Sequence, residues 1–305
     1  MRLEIVCSIS LFSLVALGNI PERKFSLKEQ AYTPQNYEQS AGFNQHQNKC
    51  PKIPALSKAL DTYAKGGTSF LPPLDKCSNG DAIPENNQKI LTQAAMTHPG
   101  GHYDYKHAGA TPINFNINLC GKNVANGGGS SYCSGGPYST LIDAFEENIC
   151  RGPQSDLKIR FGTGSKLYSV LNNDGTGMGD LAKATGIGEN IANDPGQLGQ
   201  KPLCPGDYVN FSRPIDDSGK AYGHAAMLLG VFDGKMYWWS AQSASDGWGL
   251  DCVDVSKISK GDFAVTRITH PEELATFSEN KLTPYLDKPK ESAKEGSEQK
   301  KQEHI

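Results

Sequence analysis

The sequence predicts an α+β fold in which helices come first and an antiparallel sheet follows. Apolar residues recur at helical spacing early in the chain, as at Leu56, Leu60 and Tyr63. The last third contains short apolar runs separated by turn signals, of which Asp233-Gly234 is the strongest. Helices that precede strands, instead of alternating with them, are typical of the α+β class.

Three segments are predicted to be helical from their apolar spacing: residues 53–65, residues 85–98 and "STLIDAFEENI", residues 139–149. We expect the third helix to open near Cys133 or Ser134, where a glycine-rich loop ends. Strands are predicted at residues 207–212, 224–232, 235–242 and 262–268. The glycine-rich stretches "GTGSKLYS" and "GTGMGD" are predicted to be loops, since neither follows a clear strand or places a lysine for phosphate binding.

The two ends of the chain differ in composition from the middle. Arg2 precedes an apolar run over residues 5–17 that ends in small residues, which is the layout of a cleavable secretory signal. A buried first strand or helix is the alternative. The last residues are charged and contain no aromatic side chain, as in a solvated tail. We therefore divide the chain into a signal peptide (1–18), a polar linker (19–49), a folded domain (50–286, with a helical part 50–150, an insertion 151–201 and a sheet part 202–270) and a disordered tail (287–305).

Cysteine usage indicates an oxidising compartment. Of the eight cysteines, Cys7 lies in the predicted signal, so seven remain, and an odd number leaves at least one outside any intramolecular bridge. Three disulfides and one further thiol is the simplest count. We expect Cys204 to pair with Cys252, and Cys120 with Cys150 or Cys50 with Cys77, although six cysteines allow fifteen connectivities.

Charge and hydropathy exclude several classes of function. The net charge of −3 and the absence of a basic stripe argue against nucleic-acid binding. No segment approaches the roughly 20 apolar residues of a membrane span. The layout of the secretory signal and the cysteine usage predict a secreted or periplasmic location. "HPGGHYDYKH" (98–107) has zinc-ligating residue types at a spacing that suits no familiar site; we favour a polar loop bordering a cleft over a metal site. No cofactor is expected.

Cys133 has the sequence context of a catalytic thiol. The helix dipole and unpaired amides at a helix start favour the thiolate, and the surrounding glycines allow a substrate backbone to come close. A thiol also needs a base. His224, at the start of a predicted strand between small residues, is the candidate, and a purely structural strand histidine is the alternative.

The two halves of this pattern resemble the NlpC and CHAP superfamily of cysteine amidases and peptidases. "YCSGGPYSTLIDAF" resembles its cysteine-bearing helix start, and "LCPGDYVNF", a loop and "GHAAMLLG" resemble its later motifs in the same order. The resemblance covers roughly residues 127–150 and 202–268. It implies a papain-like core with helices packed on an antiparallel sheet, and an insertion between Cys133 and His224.

The resemblance also implies a third polar residue on the strand after the histidine, here among Ser240, Gln242 and Ser243. In a hairpin with a strict two-residue turn at Asp233-Gly234, the numbers of two paired residues always sum to 467. Ser243 is then the residue opposite His224. A single bulge reverses this parity. We favour Gln242, because an amide oxygen accepts a hydrogen bond from an imidazole.

The remaining site residues follow from the same resemblance. Cys133 would attack an amide carbonyl, His224 would accept and return the proton, and the Cys133 amide, with Tyr132 or Ser131, would hold the oxyanion. Three neighbouring aromatic residues, 237–239, are predicted to be core, while Trp248 could line a cleft. Ser240 and Ser243 are also candidates for contact with the substrate or the oxyanion.

The sequence thus favours a secreted cysteine amidase or endopeptidase acting on peptidoglycan or another peptide. A non-catalytic module that binds wall peptides and a related acyl transferase are the alternatives. Oligomeric state is not predicted.

Overall fold

A computed structural model describes residues 49–67, 69–97, 100–104, 113–172, 176–212, 223–261 and 263–286. The predicted signal peptide, all but the last residue of the predicted linker and the predicted tail lie outside these ranges. So do the histidines at 98 and 107. Within the described ranges, no helix combines the length and the apolar character that crossing a membrane requires.

The helices of the described residues are α1 Ile53–Ala64, α2 Glu85–Met96, α3 Gly135–Ala144, α4 Glu146–Cys150, α5 Leu157–Phe161, α6 Lys166–Leu171, α7 Gly177–Thr185 and α8 Thr283–Leu286. The strands are β1 Gly100–Gly101, β2 Ile117–Leu119, β3 Lys122–Ala125, β4 Gly188–Ala192, β5 Tyr208–Ser212, β6 Gly223–Phe232, β7 Lys235–Gln242, β8 Gly247–Asp254 and β9 Phe263–Ile268.

Seven of these strands form one antiparallel sheet in the order β1-β8-β7-β6-β5-β9-β4. A tight turn joins β6 to β7, and both of its central residues, Asp233 and Gly234, have positive φ, as a type I′ turn requires. β2 and β3 form a separate hairpin. The α+β class and the antiparallel sheet are therefore confirmed.

Both faces of the sheet are buried. Helices α3 and α7 pack against one face, where Met227, Leu229 and Trp239 belong to the larger core cluster. Phe211, Leu228 and Trp238 point to the opposite face and pack against residues that follow β4 and β8, including Leu198, Leu203 and Ile258. Because side chains alternate along a strand, adjacent aromatic residues of β7 are all buried, on opposite faces.

The insertion between α3 and β5 is structured. It contains α5, α6 and α7, and its last part forms the edge strand β4. "GTGSKLYS" and "GTGMGD", predicted to be loops, instead lead into α6 and α7. Ser165 caps α6 by accepting a hydrogen bond from Tyr168 N, and the glycines at 177 and 179 allow close packing of α7 against neighbouring backbone and Asn190.

Three disulfides cross-link the chain: Cys50–Cys252, Cys77–Cys204 and Cys120–Cys150. The number of bridges and the third pair are as predicted, whereas the predicted pairs Cys204–Cys252 and Cys50–Cys77 are wrong. Cys252 lies on β8 and Cys204 precedes β5, three strands away in the sheet order. At about 4.8 Å per strand this separation is roughly 14 Å, beyond the reach of a disulfide.

The Pro205-Gly206-Asp207 turn forms a buried corner that attaches α2 to the sheet. Gly206 has a φ of +89°, and a Cβ there would lie 2.6 Å from the carbonyl oxygen of Asn87. The Asp207 carboxylate accepts hydrogen bonds from Arg267 Nε, Arg267 Nη2, Asn87 Nδ2 and the Cys204 amide, each 2.8 Å long. This motif therefore contributes to the fold.

Candidate active site

Cys133 lies at the turn that begins the central helix α3. The helix starts at Gly135, Ser134 occupies the N-cap position, and Cys133 is the residue before it, close to the predicted start. Cys133 is partly exposed and lies outside all three disulfides, as the odd cysteine count predicted. The amides of Gly135 and Gly136 at this start are already bonded, to the carbonyl oxygens of Tyr132 at 2.9 Å and Cys133 at 3.2 Å.

The start of α3 packs very closely against the sheet. A Cβ on Gly136 would lie 3.3 Å from Trp239 and 3.4 Å from Trp248, and these two indoles stack with their centroids 5.2 Å apart. At these distances the two indoles would have to shift by a few tenths of an ångström to admit a Cβ. The "SGG" that follows the cysteine therefore brings the helix start against β7.

We expect Gly136→Ala to destabilise the protein by about 1–2 kcal/mol, because overpacking against two stacked, buried indoles outweighs the higher helix propensity of alanine. Gly129→Ala is the matched control, since a Cβ there meets nothing within 4 Å. Urea unfolding at equilibrium measures both. A Gly136→Ala protein at least as stable as the Gly129→Ala protein would contradict this packing argument.

A β-bulge sets which residue of β7 faces His224. Pairs near the turn, such as Val231–Met236, sum to 467, but the register shifts between Leu228 and Gly230, and Met227–Trp239 sums to 466. Continued along both strands, the shifted register places Gln242 opposite His224. Ser243, the partner expected from a strict turn, is exposed and lies beyond the end of β7.

Ser240 connects the Cys133 turn to the strand that carries His224. Its hydroxyl lies 3.0 Å from the carbonyl oxygen of Cys133 and 2.9 Å from that of Ala225, the residue after His224. Ser240 is completely buried. The Ser240 hydroxyl thus joins the turn before α3, a helix that packs on the Trp239 face, to the main chain of β6. The His224 ring packs with Trp238 on the opposite face.

His224 is buried in an aromatic environment. Its ring is 2 % exposed and contacts Phe211 and Trp238 edge-on, with centroids 5.4 and 5.5 Å away. This packing restricts the rotation of the imidazole. His224 is thus held rigidly near the loop of Cys133, which is compatible with the predicted base and also with the structural alternative.

Gln242 does not make the hydrogen bond that the sequence predicted. Its amide oxygen accepts from the indole N–H of Trp238 at 2.8 Å, instead of from the imidazole. Because the indole is only a donor, this contact determines the orientation of the amide. The amide nitrogen is buried and has no hydrogen-bond partner among the described residues. Gln242 therefore presents the N–H groups of its amide as donors at this end of β7.

Two predicted substrate contacts have other roles. Trp248 is 1 % exposed and donates its indole N–H to Asn114 Oδ1 at 2.7 Å, so it is a core residue and does not line a cleft. Ser131 is also buried, and its amide and hydroxyl both contact the carbonyl oxygen of His102, at 2.8 and 3.2 Å. The donors of Ser131 are thus occupied and are not directed at an oxyanion.

Tyr132 remains a candidate donor beside the thiol. Burial raises the pKa of the Tyr132 phenol to about 12, and the charge of Cys133 acts in the same direction. The phenol is therefore protonated at neutral pH. Its ring contacts Tyr168 of α6 edge-on at a centroid distance of 6.4 Å, so the insertion packs against the residue before Cys133.

A further contact from the insertion reaches the cysteine turn. The hydroxyl of Ser134 lies 3.0 Å from Oδ1 of Asn172, the residue that ends α6. The sequence did not predict this contact or the Trp238–Gln242 bond. The first depends on how separate elements meet, and the second on side-chain conformations within β7, which residue spacing does not determine.

The described part of the "HPGGHYDYKH" segment borders the same region. Tyr103 pairs with Ser131 in an isolated parallel bridge, and β1 pairs with the start of β8. His102 Nδ1 lies 3.1 Å from Asp246 Oδ1, and both side chains are exposed. Across the described residues, no group of three His, Cys, Asp or Glu side chains is arranged to hold a metal ion.

The geometry brings together a thiol at a helix start, a packed histidine on the adjacent strand and a buried amide donor. The thiol and the imidazole thus belong to elements that are joined through one serine. Comparisons with protein-family models, with curated proteins and with solved structures found no match to this chain.

Proposed function

We propose that this protein is a cysteine amidase or endopeptidase with a papain-like core, in which Cys133 is the nucleophile and His224 the base. The observation that carries this proposal is the contact of one buried hydroxyl, that of Ser240, with the carbonyl oxygens of Cys133 and Ala225. It attaches the cysteine turn to the start of the histidine strand. Two residues that are 91 positions apart (224 − 133) thus belong to one end of the sheet.

The reaction requires two proton transfers. The Cys133 thiolate attacks the amide carbonyl, and the carbon–nitrogen bond breaks as the protonated His224 gives its proton to the leaving amine. Water then attacks the thioester and gives a proton to His224. The carbon–sulfur bond breaks, a carboxylic acid leaves, and the thiolate and the imidazolium are restored.

Donors near Cys133 support an oxyanion hole. The Tyr132 phenol remains protonated and belongs to the residue before Cys133, and the Cys133 amide is the donor that the family resemblance implies. One such donor is worth about 10²–10³-fold in rate. A bacterial cell-wall peptide is the substrate class that the family resemblance suggests, and a secreted protein with three disulfides would meet it outside the cytoplasm.

A binding module on the same fold is the second candidate, and Gln242 is the observation that favours it. Its amide oxygen already accepts a hydrogen bond from the Trp238 indole, whereas the third residue of the resemblance would use that oxygen to orient the imidazole of His224. Such a site would hold a wall peptide without activating the thiol.

The test measures new amines after incubation with muropeptides, with and without prior iodoacetamide treatment of the folded protein. The amidase or endopeptidase predicts release of primary amines by the untreated protein and none after alkylation of Cys133. Binding of muropeptides without release would support the second candidate. Release that survives complete alkylation of Cys133 would refute the proposal, and products carrying an added amine would indicate acyl transfer.

A further inference from the structure

At the end of the sheet beside the Cys133 turn and the start of β6, main-chain pairing between β6 and β7 stops. Main-chain pairing of the two strands ends at Met227 and Trp239, although β6 begins at Gly223 and β7 continues to Gln242. Past that pair, the hydroxyl of Ser240 bonds to the Ala225 carbonyl. A side chain thus connects the strands where the ladder stops.

We propose that Ser240 is a positioning residue, whose hydroxyl holds the Cys133 turn at the start of β6 so that the thiol is activated there. This inference rests on the proposed function in taking Cys133 as the nucleophile. It assigns Ser240 a role different from the contact with substrate or oxyanion expected from the sequence. Ser240 is completely buried and its hydroxyl is bonded to main-chain carbonyls.

The chemistry of the hydroxyl explains why a serine is suited to this position. A hydroxyl has one proton, and here two carbonyl oxygens at 3.0 and 2.9 Å share it. If either carbonyl moved away, the bond to it would be lost. The buried Ala225 carbonyl has no water to replace this bond, whereas the Cys133 carbonyl would keep its bond from the Gly136 amide at 3.2 Å. The shared hydrogen bond therefore fixes the distance between the Cys133 turn and the main chain of β6 at Ala225.

The neighbouring contacts restrict which side chain can occupy the position of Ser240. Gly136 lies against Ser240, since a Cβ on Gly136 would be 3.6 Å from the Ser240 Cα. Trp238 and Gln242, two residues away on either side of Ser240, bond to each other. A residue between them must be short and must also donate a hydrogen bond.

The experiment is the pH dependence of Cys133 alkylation by iodoacetamide, with the three disulfides intact. In this reaction the thiolate displaces iodide and a carbon–sulfur bond forms, so no substrate turnover is needed. An ordinary cysteine reaches half its maximal rate near pH 8.5, and a thiol activated by its surroundings does so at a lower pH. We expect the second behaviour in the wild-type protein.

Ser240→Thr and Ser240→Val are the matched variants, because they have the same shape and differ in the hydroxyl. We expect Ser240→Thr to keep the wild-type profile and Ser240→Val to shift the half-maximal pH upward by at least one unit, with at least a tenfold lower rate at pH 7. Ser245→Ala is the control. It removes another buried hydroxyl that bonds to two carbonyl oxygens, those of Gly247 and Gln242.

The outcomes separate this proposal from the proposed function. An activated wild-type thiol whose profile is the same in Ser240→Thr and Ser240→Val would overturn the positioning role alone. An equal upward shift of the half-maximal pH in Ser245→Ala would also overturn it, because a general loss of rigidity in the protein would then explain the effect. A half-maximal pH near 8.5 in the wild-type protein would contradict both, because there would be no activation for Ser240 to maintain.

Discussion

Cys133→Ala is expected to abolish hydrolysis of muropeptides, with a fall in kcat of about 10⁶-fold to the limit of the assay, because removing a catalytic nucleophile eliminates the covalent route. The fold should tolerate this change. Cys133 lies outside the disulfides and is partly exposed, so the alanine protein loses neither a bridge nor a completely buried side chain. Amine release is the measurement, with thermal unfolding as the check on folding.

The matched comparison is His224→Gln. It removes the base and keeps a polar side chain of similar length between Phe211 and Trp238. We expect a smaller loss, of about 10²–10⁴-fold, because a positioned base contributes that much. Hydrolysis that persists in the Cys133→Ala protein would remove the proposed nucleophile. Full activity in His224→Gln would instead assign His224 to the core.

Helix and strand periodicity predicted most of the elements that position this site. The predicted helix at 53–65 is α1, and the predicted strand at 235–242 is β7 with the same bounds. One predicted helix, 139–149, is divided at Phe145 into α3 and α4. β8 was missed because "GWGLDCVD" combines glycines and acids with apolar residues, and a strand with such a composition depends on its neighbours for stability.

The β7 side chain that lies opposite His224 could be predicted only as two alternatives. Whether Gln242 or Ser243 faces His224 depends on one extra residue in β6, and the local sequence contains no signal for that bulge. The sequence likewise did not predict the hydrogen-bond partner of the Gln242 amide. Trp238 lies four residues earlier on the same strand, and its indole reaches past Ser240 to the amide.

Disulfide pairing was limited by the same lack of tertiary information. Cys120 and Cys150 are close in sequence, separated by 30 positions, and this pair was predicted. The other two bridges join residues 202 and 127 positions apart. Their pairing depends on the order of strands in the sheet, which apolar spacing does not encode.

The Asp207–Arg267 pair gives the largest expected effect on stability. Burial raises the pKa of the Asp207 carboxyl, and the hydrogen bonds from Arg267, the Cys204 amide and Asn87 oppose this by stabilising the charged form. Each carboxylate oxygen bonds to one guanidinium nitrogen at 2.8 Å, and the Arg267 side chain is itself only 14 % exposed. Removal of one partner would therefore leave a largely buried charge without its counterion.

We expect Asp207→Ala to lower the free energy of unfolding by about 3–5 kcal/mol, because breaking a buried ion pair leaves an uncompensated charge. Arg267→Met should cost a similar amount. The double variant should cost less than the sum of the two, since neither charge remains. Urea unfolding of all four proteins gives this double-mutant cycle.

Asp254→Ala provides the control for this cycle. Asp254 pairs with Lys235 and Lys257 at the surface, where solvent screens the charges, so its removal should have a much smaller effect. If Asp207→Ala were no more destabilising than Asp254→Ala, the buried pair would not stabilise the corner between α2 and the sheet. A large loss confined to Asp207 and Arg267 would instead mean that the Pro-Gly-Asp turn is retained for the fold. Of the motifs that resemble the superfamily, those that carry Cys133 and His224 would then be the ones that serve the chemistry of the site.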